Sequence, residues 1–133
     1  PRSTLFPYTT LFRSDLLRLC DFFGTGPRDF AQKFCRWADY YEGATVLALQ
    51  EKKNYDCILW SGGCSAYKAR PVQCSTYPFW SWMLEDKATW DECAKDCPGM
   101  NSGELWSRDF IEACKKAYDE NPPLTKEEFE VLL

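Results

Sequence analysis

Eight cysteines and no histidine in 133 residues make sulfur the element through which this chain could do chemistry. The residues around the cysteines divide them into two groups. Cys57 opens a short apolar run, Cys64 follows Gly62-Gly63, Cys74 sits between Pro71 and Pro78, and Cys97 stands directly before Pro98-Gly99. Turn residues of this kind let a backbone aim separate sulfurs at one point. The spacing is C-x6-C-x9-C-x22-C, without the paired C-x2-C knuckle of ordinary zinc ribbons, so spacing alone does not specify a metal. The donor chemistry says more. Four thiolates suit tetrahedral Zn²⁺, with Zn–S near about 2.3 Å, or an iron–sulfur cluster, and neither needs histidine. Cys57, Cys64, Cys74 and Cys97 are therefore the candidate metal ligands. Cys20, Cys35, Cys93 and Cys114 instead fall within helical patterns, mostly on or beside apolar faces, and read as small buried hydrophobes.

A metal held by four thiolates carries a net charge near about −2 and needs donors around it. Arg70, between Cys64 and Cys74, is the candidate cofactor-binding residue, its guanidinium donating to a thiolate; the other reading is a solvated surface charge. Lys68 reads as solvated. Structural zinc supplies on the order of 10–16 kcal/mol of apparent binding energy, which in a small loop-rich domain is folding energy.

Composition removes several alternatives. The absence of histidine excludes His-based triads, Cys₂His₂ fingers and facial-triad iron sites. With 16 Lys+Arg against 20 Asp+Glu, a nucleic-acid partner is not expected. No apolar stretch approaches the roughly 18–20 residues of a membrane span, so no membrane partner is expected either. An apolar fraction of 45% supports a packed core, and the length fits one domain. No Gly-rich phosphate loop, nucleophile elbow or recognisable catalytic carboxylate pair is present, and no catalytic residue is assigned. Glu85, Asp86, Asp91 and Glu92 read as exposed charges around the start of a helix. The aromatic run Tyr77, Phe79, Trp80 and Trp82 fits a dry shell and core wrap better than base stacking, given the acidic balance.

The elements that must position these sulfurs are short. Leu16, Leu19, Cys20 and Phe23 predict a helix over 15–23 with Gly24 as its stop, and Pro27 opens the next at its first position. Phe30, Phe34, Trp37 and Ala38 extend that helical spacing. Residues 46–49 read as a short strand, and 57–60 and 64–67 as two strands joined by Ser61-Gly62-Gly63. Pro71 and Pro78 keep the next stretch irregular. Thr89 with Glu92 has capping-box spacing, opening a helix that Pro98 stops. Ser107 caps a helix through about Tyr118, and Thr125 with Glu128 opens a last one. The expected fold is α+β, a small irregular Cys-rich β-hairpin centre flanked by four or five short helices.

Pro1 to Ser14 reads PRSTLFPYTTLFRS, which resembles the translation of a common sequencing-library adapter over residues 4–14. Residues 1–14 are accordingly read as non-native, and 15–133 as a single cysteine-cluster domain truncated at its N-terminus.

At the cysteines the chain resembles a known family. Asp56-Cys57-Ile58-Leu59-Trp60, Gly63-Cys64-Ser65-Ala66-Tyr67 and the block from Arg70-Pro71-Val72-Gln73-Cys74 to Tyr77-Pro78-Phe79-Trp80 are similar to the YkgJ-type cysteine-cluster family, described as a zinc- or iron-chelating domain. Cys97-Pro98-Gly99 with Gly103 resembles that family's C-P-G ending, and Leu19-Cys20-Asp21-Phe22-Phe23 through Cys35-Arg36-Trp37 its helical lead-in. The resemblance implies that Cys57, Cys64, Cys74 and Cys97 bind Zn or Fe, the latter as an ion or an iron–sulfur cluster, in the cytoplasm. Members begin with a C-x-x-C-x-x-C-C cluster that this chain lacks, and full-length members would add thiolates from it. Two alternatives stand beside metal binding. One is a cluster-dependent methyl-transfer enzyme, since flagellin lysine N-methylase resembles this family in its cysteines. The other is a disulfide-stapled extracellular domain, which the even cysteine count permits.

Overall fold

Apolar residues at helical spacing, followed by a β-prone run, give the first half of the chain its form. The structure, a computed structural model, describes residues 9–133. Helix α1 (Arg13–Phe23) buries Leu16, Leu19 and Cys20 and stops at Gly24, whose left-handed φ of 65° lets Thr25 N–H reach the Cys20 carbonyl at 3.0 Å. Helix α2 (Pro27–Phe34) starts on its proline and buries Phe30 against Phe23 and Phe34, with ring centroids 6.0 and 5.1 Å away.

The helical spacing does not continue as predicted. Cys35–Asp39 is a strand, β1, paired antiparallel with β2 (Thr45–Leu49), so Cys35, Trp37 and Ala38 lie in a sheet. Pairing wins because β2 is a buried run that needs backbone partners on both edges. Cys35 stands opposite Leu49 and Trp37 opposite Leu47 on one edge. On the other edge Leu11 N–H donates to Leu47 O at 2.9 Å, Leu47 N–H to Leu124 O at 2.9 Å, and Leu124 N–H to Leu11 O at 2.8 Å. Thr10, Leu11 and Phe12, from the segment resembling an adapter translation, are buried here. Residues 1–8 of that segment lie outside the described residues.

The α+β class is as expected, with six α-helices and one two-stranded sheet among the described residues, but the hairpin lies upstream of the Cys-rich stretch. Residues 57–67 form no two-residue ladder. Single bridges join Glu51 to Cys57 and Trp60 to Cys64 around a turn closed by Ser61 N–H on Gly63 O at 2.8 Å. Ser65 ends the pairing, since its N–H and hydroxyl both donate to Leu59 O, at 2.9 and 2.7 Å.

A five-residue helix, α3 (Val72–Thr76), fits between the two prolines of the stretch expected to be irregular. Helix α4 (Lys87–Ala94) begins earlier than the Thr89 box implies: Asp86 is the cap, accepting Thr89 N–H at 2.7 Å. Helix α5 (Arg108–Asp119) is capped by Ser107 and α6 (Lys126–Leu132) by Thr125, both as read from sequence. Two main cores result. The larger joins Leu11, Leu16, Leu19, Phe30, Leu47 and Leu124; the second joins Trp80, Met83, Cys93 and Met100. Full burial of each large side chain contributes about 1.5–3 kcal/mol. Among the described residues no helix is long and apolar enough to cross a membrane.

Candidate metal centre

The short helix α3 carries Cys74, and three of its other side chains or backbone groups are pinned. Val72 N–H donates to Asp15 Oδ1 at 2.9 Å, giving the helix an acidic acceptor at its start. Gln73 Oε1 accepts from Thr10, N–H at 3.1 Å and hydroxyl at 2.7 Å. Thr76 Oγ1 accepts from Trp80 Nε1 at 3.0 Å, and Trp80 stacks on Tyr118 at 4.7 Å in the second core. With Gln73 and Thr76 buried, Cys74 and Ser75 are left on the exposed side.

Asp15 is the hub of this arrangement. Its wholly buried carboxylate also accepts Phe12 N–H at 2.8 Å and Arg18 Nη2 at 2.8 Å, and the same Arg18 nitrogen donates to Arg70 O at 3.0 Å. Burial raises the Asp15 pKa, and the hydrogen bonds from Phe12, Val72 and Arg18 pull it back only in part. One carboxylate thus holds the start of α1 and the start of α3 at once. The residues carrying this link were not singled out from sequence. The only local signal is the i,i+3 spacing of Asp15 and Arg18, which says nothing about Val72, 57 positions away.

The candidate ligands do not share one location. Cys57 and Cys64 flank the Trp60–Gly63 turn and pack, half-buried, on the larger core. Cys74 lies near this pair: although the residue is exposed, crowding of its sulfur by surrounding protein raises the thiol pKa first, then the Cys57 and Cys64 sulfurs and Asp15, with Arg70 opposing. Cys97 lies in the turn after α4 and packs on the second core, beside Trp80, Met83, Cys93 and Met100. The four residues read as structural, Cys20, Cys35, Cys93 and Cys114, are all buried. Cys35 has an additional property. Gln50 binds its carbonyl through Nε2 at 2.8 Å and accepts Ile58 N–H at 2.9 Å, which draws Cys35 toward Cys57. Its thiol is pushed up to about 12 by burial, then by Cys20 and Cys57.

Arg70, expected to donate to a thiolate, directs its hydrogen bond to a backbone carbonyl instead. Its Nη1 donates to Tyr67 O at 3.1 Å, and its guanidinium lies 4.2 Å over the Tyr67 ring. It favours ionisation of Cys74. Lys68 is exposed.

These residues fit a thiophilic metal in donor type. They do not form a closed shell: among the described residues no group of three or more Cys, Asp or Glu side chains stands close enough to hold a metal ion. No disulfide links the eight cysteines. Comparison with protein-family models, curated proteins and solved structures found no match.

Proposed function

We propose that this chain binds Zn or Fe, the latter as an ion or an iron–sulfur cluster, through the thiolates of Cys57, Cys64 and Cys74, with Cys97 as the fourth ligand of the sequence motif. The observation that carries this reading is that Cys57 and Cys64 lie near enough to Cys74 to raise its pKa, and that these three are more accessible than the four buried cysteines. Soft thiolates select these metals over Mg²⁺ or Ca²⁺. Binding releases protons, because a thiol binds a metal as the thiolate, and the raised pKa of Cys74 keeps that thiol neutral until the metal displaces its proton. The three sulfurs must close toward one another, and the exposed turn at Ser61-Gly62, with Gly62 at φ 68°, is a segment that can move to allow it. Thiol ligands of this type belong to a reducing compartment such as the cytoplasm.

The test is metal content per chain by elemental mass spectrometry, after anaerobic purification and reconstitution. Cys57→Ser, Cys64→Ser and Cys74→Ser are each expected to retain less than about a fifth of wild-type metal, and Cys114→Ser all of it. Visible absorbance separates an iron–sulfur cluster from colourless zinc. Equal metal in all four variants, or none in the wild type, overturns the reading. Cys97→Ser and Cys35→Ser, measured together, decide which sulfur completes the set.

A further inference from the structure

A cavity adjoins Arg70. A half-open groove of about 650 Å³ runs between the Tyr67–Phe79 stretch and the loop leading into α5. Its walls are aromatic. Phe79 lies parallel to Trp90 at 6.2 Å and edge-on to Phe110 at 6.3 Å, and Phe110 stacks on Trp106 at 4.5 Å. Trp90 Nε1 donates to Asn101 Oδ1 at 2.9 Å, fixing the loop against this band. Tyr67, Trp106 and Phe110 are exposed, as is Leu105 at 97%, so large apolar surface is concentrated here.

One cation faces the groove. Arg70 spends Nη1 on the Tyr67 carbonyl, and among the described residues its other N–H groups have no acceptor and it pairs with no carboxylate. A half-buried guanidinium with unused donors beside a band of rings calls for an anion attached to a flat apolar body. We propose that this groove binds a small planar apolar ligand bearing one carboxylate- or sulfonate-type anionic group, the body on the Phe79–Trp90–Phe110–Trp106 band and the anion on Arg70. The volume lies within the range of small-molecule sites, roughly 300–1,000 Å³. Glu104, also in the lining, opposes the anion and gives the test a second sign.

No cysteine lines the groove, and the inference shares only Arg70 with the metal reading. The probe is naphthalene-2-sulfonate, with naphthalene-2-methanol as the uncharged control, followed by tryptophan fluorescence on the intact chain of known metal content. Saturable quenching is expected for both. Arg70→Gln is expected to weaken the sulfonate about tenfold and leave the alcohol unchanged, while Glu104→Gln strengthens the sulfonate about two- to threefold. Trp106→Ala is expected to weaken both probes about fivefold. Sulfonate affinity unmoved by both charge variants, or no saturable quenching, overturns the proposal; Glu104→Gln, on an exposed loop, keeps it testable should Arg70→Gln unfold.

Discussion

Asp15→Ala perturbs the group that ties helix α1 to the cysteine-bearing helix α3. The carboxylate accepts two backbone N–H groups, from Phe12 and Val72, and one guanidinium. Hydrogen bonds to a charged group contribute about 1.5–3 kcal/mol each, and Phe12 is buried, so its orphaned N–H finds no water. Arg18 is 40% exposed, and its ion pair adds under about 1 kcal/mol. Against these stands relief from burying a carboxylate, whose cost is evident in its raised pKa. The net expected loss is about 2–4 kcal/mol, read as a lower urea midpoint at unchanged m-value by tryptophan fluorescence. Local loosening is expected as well: without an acceptor for Val72 N–H, α3 loses its start, and Cys74 alkylates faster than in the wild type while Cys114 does not. A loss below about 1 kcal/mol, or equal acceleration at both thiols, refutes the role assigned to Asp15.

Two other outcomes follow from the same structure. Burial pushes the Cys35 thiol up to about 12 from an ordinary value of 9.0, and the exposed Cys74 is shifted in the same direction. Their unfolded thiols lose protons first as pH rises, so metal-free stability is flat from these groups below about pH 9 and falls between about 9 and 12; denaturant midpoints across that window check it. Ser107→Ala removes the acceptor for Phe110 N–H at the start of α5 and is expected to cost about 1 kcal/mol, with Ser107→Asp restoring it, by thermal unfolding.

Much of the local structure was legible because short-range chemistry decides it. Gly24, Pro27, Ser107 and Thr125 mark helix ends through φ preference and side-chain acceptors, which act within four residues. Asp86 displaced Thr89 as a cap because both have the right chemistry, and only packing selects the register. Trp37 and Ala38 left the helical pattern because strand β2 supplied hydrogen bonds that sequence periodicity does not contain.

The division of the cysteines shows the same boundary. Their neighbours along the chain separated the buried Cys20, Cys35, Cys93 and Cys114 from the more accessible Cys57, Cys64, Cys74 and Cys97, since burial follows from apolar periodicity and turn composition. Which sulfurs meet is a property of long-range packing. Asp15, Thr10 and Trp80 set α3, and with it Cys74, beside Cys57 and Cys64, whereas Cys97 is held on the second core by Trp80 and Met100. The fold class and the burial of each cysteine were thus written locally. The company each sulfur keeps was decided by buried contacts between residues tens of positions apart.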